Sequence, residues 1–196
     1  MDDNASGILL AQLRTMYDQL RAELRSRWDR DLPFEEILFD RWERAASLGF
    51  GEGSSIYHNS YVYGDVRVGR NTWIGPMTLL DGSGGLIIGD NCSISSGTQI
   101  YTHDTVKWAL SGGVAHHERG AVSIGDCCYV GSHSVIAKGV TIGDHSVVGA
   151  CSFVNRDIAP FSVAAGVPCR SIGHVEIDER RGVTLIYDGA QAFPRI

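Results

Sequence analysis

Aliphatic side chains recur at every sixth residue through the middle of the chain. Ile56, Val62, Val68, Ile74 and Leu80 form a first run, and after a slip of two residues Ile88, Ile94, Ile100 and Val106 continue it. An irregular stretch follows, and then a third run of Ile124, Val130, Ile136, Ile142, Val148 and Val154. A strand repeats every two residues and a helix face every 3.6, so neither generates this spacing. Hexapeptide periodicity predicts a parallel β-helix. Glycine follows the aliphatic residue at Gly69, Gly75, Gly89, Gly125, Gly131, Gly143 and Gly149. Its expected role is a tight corner with left-handed backbone. Four residues after the aliphatic comes a small side chain: Ser60, Thr72, Thr78, Cys92, Thr98, Cys128, Ser134, Ser146 or Ser152. That slot is expected to point inward, where only a small group fits beside the larger aliphatic. Three hexapeptides per coil predict roughly five coils between residues 54 and 171, stabilised by stacking.

The first 48 residues follow another period. Leu13, Met16, Tyr17, Leu20, Leu24 and Trp28 recur at helical spacing. A second helix is predicted from near Asp31, with Pro33 in its first turn and Gly49 as its stop. Phe34, Ile37, Leu38, Trp42 and Ala45 form its apolar face. The favoured role of this region is a cap over the exposed edge of the first coil; the sharper alternative is that it also shapes the acceptor site. The predicted organisation is a helical region over 1–50, a β-helix domain over 51–173 with an extended loop at about 104–121, and a tail over 174–196 containing a possible strand at Val183–Tyr187.

With this grammar, the chain resembles the left-handed β-helix acyltransferases, whose repeat is an aliphatic residue, glycine and four variable positions. The resemblance implies the left hand. The expected fold class is all-β, a left-handed parallel β-helix of about five coils with an N-terminal α-helical cap.

Charge and cysteine content narrow the function. Seventeen basic against 23 acidic residues give a net charge of −6, which carries no nucleic-acid footprint. No long apolar stretch spans a bilayer and the N-terminus lacks a signal-peptide pattern, so a cytoplasmic enzyme with no membrane span is expected. The five cysteines show no C-x-x-C spacing. Cys92 and Cys128 occupy the small-residue slot, as buried reduced thiols would. The vicinal Cys127 and Cys128 would project to opposite faces of a strand.

The repeat breaks twice. Asp81-Gly82-Ser83-Gly84-Gly85 lengthens one coil by two residues, and Asp104 to Ala121 forms a longer interruption. Loops of that length in compact repeats are usually functional. His103 enters the second break, which also carries His116 and His117, so three of the seven histidines sit together. Acyl transfer from a thioester to a hydroxyl needs a base for the hydroxyl proton, and a neutral imidazole suits that task. It also needs hydrogen-bond donors for the thioester oxygen as it becomes negative.

This segment resembles the sugar O-acetyltransferases of the galactoside and maltose type. By that resemblance His103 is the general base, although the family's following proline is Asp104 here. His116 and His117 are the rivals, and Asp104, Asp81 or Glu118 is left to orient the imidazole. The stretch from Cys128 to His133 resembles the family's thioester-binding coil, which gives Tyr129 and Ser132 cofactor-binding roles. Val148 to Ile158 resembles its pantetheine and phosphate coil, which gives such roles to Ala150, Asn155 and Arg156. Val163 to Arg170 matches its V-A-A-G-V-P-C-R ending, which places Arg170 on the nucleotide phosphates, where a guanidinium suits bidentate contact. Asp81 matches an acidic position near the family's acceptor site. The family's sugar-binding asparagine falls near Gly75-Pro76 and is absent. The resemblance implies acetyl-CoA as donor with no metal, direct transfer to a small-molecule or oligosaccharide acceptor, and a homotrimer with sites between subunits. Alternatives are an N-acyltransferase on an amino-sugar, a γ-class carbonic anhydrase-like metalloenzyme, and a non-catalytic assembly module.

Overall fold

The computed structural model describes residues 3–189. In it the aliphatic positions fall into three stacked rows. Ile56, Ile74, Ile94, Val130, Val148 and Ala164 pair in parallel register along the first. Val62, Leu80, Ile100, Ile136 and Val154 make the second. Val68, Ile88, Ile124, Ile142 and Ile158 make the third, its last step an isolated bridge. The result is a parallel β-helix of five coils. Many of its strands are only two residues long, so each is held by the coils above and below it. The aliphatic rows are buried from Ile74 through Val154. Val62, on the first coil, is half-buried and packs against that core.

The small-residue slot is buried as expected, and it does more than fit. Thr72 Oγ1 donates to the Gly89 carbonyl at 2.8 Å, Ser134 Oγ to Gly149 O at 3.0 Å, and Cys128 Sγ to Gly143 O at 3.2 Å. Each donor bonds a corner carbonyl of the next coil, and at Gly149 the Ser152 hydroxyl adds a second bond at 2.7 Å.

The glycines act differently from expectation. Left-handed backbone falls two positions later, at Asn71 (φ 52°), Asn91 (φ 54°), His133 (φ 59°) and His145 (φ 57°). Glycine is required because the next coil passes against it. A Cβ on Gly143 would lie 2.4 Å from Pro160 N, and one on Gly131 2.4 Å from Ala150 N.

One predicted row member leaves the row. Val106 opens a short helix, Val106–Leu110, and is 57 % exposed. Row neighbours stand 18 residues apart where the repeat is unbroken (Val130 to Val148), 20 across the first break (Ile74 to Ile94) and 36 across the second (Ile94 to Val130). Both insertions therefore leave the stack and return to it in register.

At the N-terminus, helix α1 spans Asp3–Trp28, α2 Phe34–Leu38 and α3 Arg41–Ser47. The single second helix expected from the apolar pattern is split, because Asp40 leaves the helical conformation and caps α3. Its Oδ1 accepts from Trp42 N at 2.8 Å and Glu43 N at 3.0 Å. Gly49 (φ 74°) follows α3 in left-handed backbone. Arg44 donates to the carbonyls of Tyr57 and Ser60, and Glu36 Oε1 accepts from Asn59 N at 2.9 Å, so these helices satisfy open backbone groups of the first coil. At the other end Ser162–Ala165 pairs antiparallel with Arg170–Ile177, which pairs with the expected strand Val183–Tyr187. Residues 190–196 of the tail lie outside the described residues. Among the described residues no helix is long and apolar enough to cross a membrane.

Candidate active site

The two breaks in the repeat meet in space. Asp81 follows the row-two residue Leu80 within the strand Leu79–Ile88 and is 1 % exposed. The next coil brings Thr102 and His103 over it. His103 Nδ1 lies 2.6 Å from Asp81 Oδ2. Thr102 N donates to the same oxygen at 2.9 Å, while Ser83 N at 2.9 Å and Ser83 Oγ at 2.5 Å donate to Oδ1. Burial opposes a charge on Asp81, but the hydrogen bonds from the Ser83 hydroxyl and N–H, the Thr102 N–H and the His103 ring outweigh it. The carboxyl is held well below the usual carboxylate range and is an anion at neutral pH. An ionised carboxylate only accepts, so the ring hydrogen sits on Nδ1 and leaves Nε2 as an acceptor.

The His103 side chain is 34 % exposed. It opens on a cleft of about 410 Å³ whose walls include Tyr101, Val106, Val135, Lys138 and Phe153. His117 stacks 6.4 Å from the His103 ring, and Trp108 meets His117 edge-on at 6.0 Å. The base of the loop is clamped. His103 and Asp104 pair antiparallel with Arg119 and Glu118, and Lys138 bridges Asp104 at 2.9 Å and Glu118 at 3.1 Å. Of the three acids left open by the sequence, Asp81 reaches the imidazole, while Asp104 and Glu118 hold the loop.

The other expected residues fall in two groups. Arg156 and Arg170 line one recess of about 290 Å³ at the last coil. Asn155 lies beside them, in the position that Ala137 and Tyr101 hold on the coils below, since Tyr101 N bonds Ile136 O and Ala137 N bonds Val154 O. Asn155 and Arg156 share the corner that His103 occupies, whereas Arg170 opens a strand paired to the first face and reaches the recess from there. Ser132 and Ala150 stack on the preceding corner, where Cys151 N donates to Ser132 O at 2.9 Å. Tyr129 is 44 % exposed on the first face, in register with Ser93 and Val147. A whole face of the prism, carrying Gln99, Val135 and Phe153, separates the two groups. Asp81, expected at the acceptor, spends both carboxylate oxygens inside the fold. Sequence reasoning missed Ser83, Thr102 and Lys138. Ser83 lies inside the first break and Thr102 at the entrance to the second, which was the available signal; Lys138 had none. Among the described residues no three His, Cys, Asp or Glu side chains converge as a metal site.

Comparison with known proteins gives a consistent picture. The family described as bacterial transferase hexapeptide (six repeats) matches residues 121–156. Galactoside O-acetyltransferase of Escherichia coli (strain K12) is 36 % identical over 133 residues, which are 58 % of this chain and 64 % of that protein, so the match spans just under two thirds of its length. The structure of a galactoside acetyltransferase in complex with coenzyme A is 30 % identical, with a TM-score of 0.61, over 87 % of this chain and 84 % of that one. The structure of a point mutant of AntD, an N-acyltransferase from Bacillus cereus, in complex with dTDP and coenzyme A is 26 % identical, with a TM-score of 0.57, over 67 % of this chain and 88 % of that one.

Proposed function

The chain belongs to the hexapeptide-repeat acyltransferases, and from that premise we propose that it is an acetyl-CoA-dependent O-acetyltransferase acting on a hydroxyl of a saccharide or glycan precursor. The observation that carries this reading is the His103–Asp81 pair, 2.6 Å apart at the mouth of an open cleft. Nε2 takes the acceptor hydroxyl proton as the oxygen attacks the thioester carbonyl. Asp81, already ionised, holds the ring in one tautomer and stabilises the imidazolium that forms. A backbone N–H near Ser132 supports the oxyanion. Collapse breaks the carbon–sulfur bond, and the departing thiolate receives the proton from the imidazolium. No acyl-enzyme is required, since among the described residues no Ser, Thr or Cys side chain shares a hydrogen bond with His103 and the Asp81 carboxylate is spent inside the fold.

The arginine recess at the last coil suits the donor's phosphates. The division of the expected donor residues across one face supports a homotrimer in which His103 of one copy works beside Tyr129, Ser132 and Ala150 of the next. Such an enzyme would operate in the cytoplasm, where acetyl-CoA is made. The likeness to AntD favours transfer to the amine of an amino-sugar as the second reading. A thiol-release assay with acetyl-CoA over matched sugars, amino-sugars and oligosaccharides tests both. Turnover with hydroxyl-only sugars is the expected result. Turnover restricted to amino-sugars selects the second reading, and turnover with neither overturns the proposal.

A further inference from the structure

Three of the four tryptophans of this chain gather far from the His103 cleft. Trp28, Trp42 and Trp73 line a recess of about 600 Å³ between the N-terminal helices and the first face of the prism. All three are exposed, at 53 %, 40 % and 65 %. Arg30 and Arg41 line the same recess, and its lining contains no Asp or Glu, on a chain whose net charge is −6. Among the described residues neither guanidinium is ion-paired with a carboxylate. Both are instead gathered on the Tyr57 hydroxyl, Arg41 at 3.0 Å and Arg30 at 3.5 Å. Arg41 also lies over the rings of Trp42 (4.2 Å) and Tyr57 (5.2 Å). Glu36, Asp40 and Glu43 line the adjoining recess that the same arginines border, but among the described residues none of them pairs with either guanidinium. Two guanidiniums held together without an ion-paired carboxylate, flanked by indoles, form a receptor for an anion attached to a ring.

The recess also reaches Ser132, the residue assigned to the thioester end of the donor. Tyr57 follows the first-coil position of its row, and Arg156 follows the fifth-coil position of its own. Coils about 4.8 Å apart put roughly 19 Å between those levels. The donor's phosphates are thus provided for at the last coil, and the Arg30–Arg41 pair lies on the opposite side of the thioester. We propose that this recess binds the acceptor saccharide through a phosphate ester that the saccharide carries. Arg30 and Arg41 hold the phosphate, the tryptophans flank the ring, and His103 of a second copy meets the hydroxyl. The inference rests on the acetyltransferase reading for the position of the thioester, and the anion subsite itself stands on the recess alone.

The test is titration calorimetry on the full chain with glucose, glucose 1-phosphate, UDP-glucose and coenzyme A as separate probes. At least one phosphate-bearing sugar should bind about tenfold or more tightly than glucose, and added salt should erode the gain. Arg30→Gln, at an exposed side chain, and the double variant Arg30→Gln/Arg41→Gln should lose that gain while coenzyme A binding persists. Equal binding of glucose and both phosphate-bearing sugars overturns the proposal, as does a gain that survives the double variant in a chain that melts like wild type. Loss of coenzyme A binding in the same variants assigns the recess to the donor and also overturns it. Binding of a phosphate-bearing sugar without any coenzyme A binding supports the anion subsite and refutes the acetyltransferase reading.

Discussion

His103 and Asp81 stand 22 positions apart in the chain and 2.6 Å apart in space. Removing the imidazole by His103→Ala should lower turnover by about 10²–10⁴-fold, the usual worth of a positioned base, while coenzyme A binding and the melting temperature hold; near-normal turnover would transfer the role to His117. Asp81→Asn keeps the shape but presents an amide to Nδ1, so kcat should fall with KM little changed. The same variant has a signature in acid. The folded-state carboxyl of Asp81 titrates below its ordinary value, so its stabilisation is complete above about pH 4 and drains as pH falls toward the folded-state value. Between about pH 5 and pH 3 the melting temperature of Asp81→Asn should therefore decline less than that of wild type. An equal decline would show that Asp81 contributes nothing to acid lability. At this scale the sequence pointed to His103, the proposed base, because it stands where the repeat stops. It did not single out the partner, because Asp81, Asp104 and Glu118 are all close along the chain or across a break, and only the stacking of coils distinguishes them.

Among the elements, the hexapeptide was legible except at Val106, which leaves the row, and its physical reasons were not legible. Size alone explains a small slot, yet Thr72, Ser134 and Cys128 are there to donate to the carbonyls of the next coil. Glycine likewise answers to a neighbour that the linear sequence does not display. Gly143→Ala would press a methyl against Pro160, and a loss of about 1–3 kcal/mol in chemical denaturation is expected; an unchanged midpoint would mean that the coils separate freely. The second N-terminal helix was misread as continuous because its apolar spacing survives the break, and the capping by Asp40 overrides that spacing. The loop clamp was illegible, since Lys138 reads as an ordinary surface lysine until Asp104 and Glu118 close on it. Lys138→Met should speed amide hydrogen exchange across residues 104–119 while leaving the strands protected.

For the whole molecule, the row pattern sufficed to give five coils, and the helical cap was expected from its own period. The recess between that cap and the prism was not visible, because it joins residues from Trp28 to Ser132. The proposed homotrimer makes a quantitative demand. Chains carrying His103→Ala and chains carrying Ser132→Phe, each inactive alone, should recover about a quarter of wild-type activity when co-expressed, since a quarter of shared sites then draw both halves intact. Recovery of nothing would place the whole site within one copy. Across the long loop Ile100 still pairs with Ile136, as though the inserted segment were absent. A prism that disregards whatever leaves and re-enters at one corner behaves as a socket. The segment it holds should therefore tolerate wholesale exchange without cost to the frame, and what that segment does can vary separately from the stack that carries it.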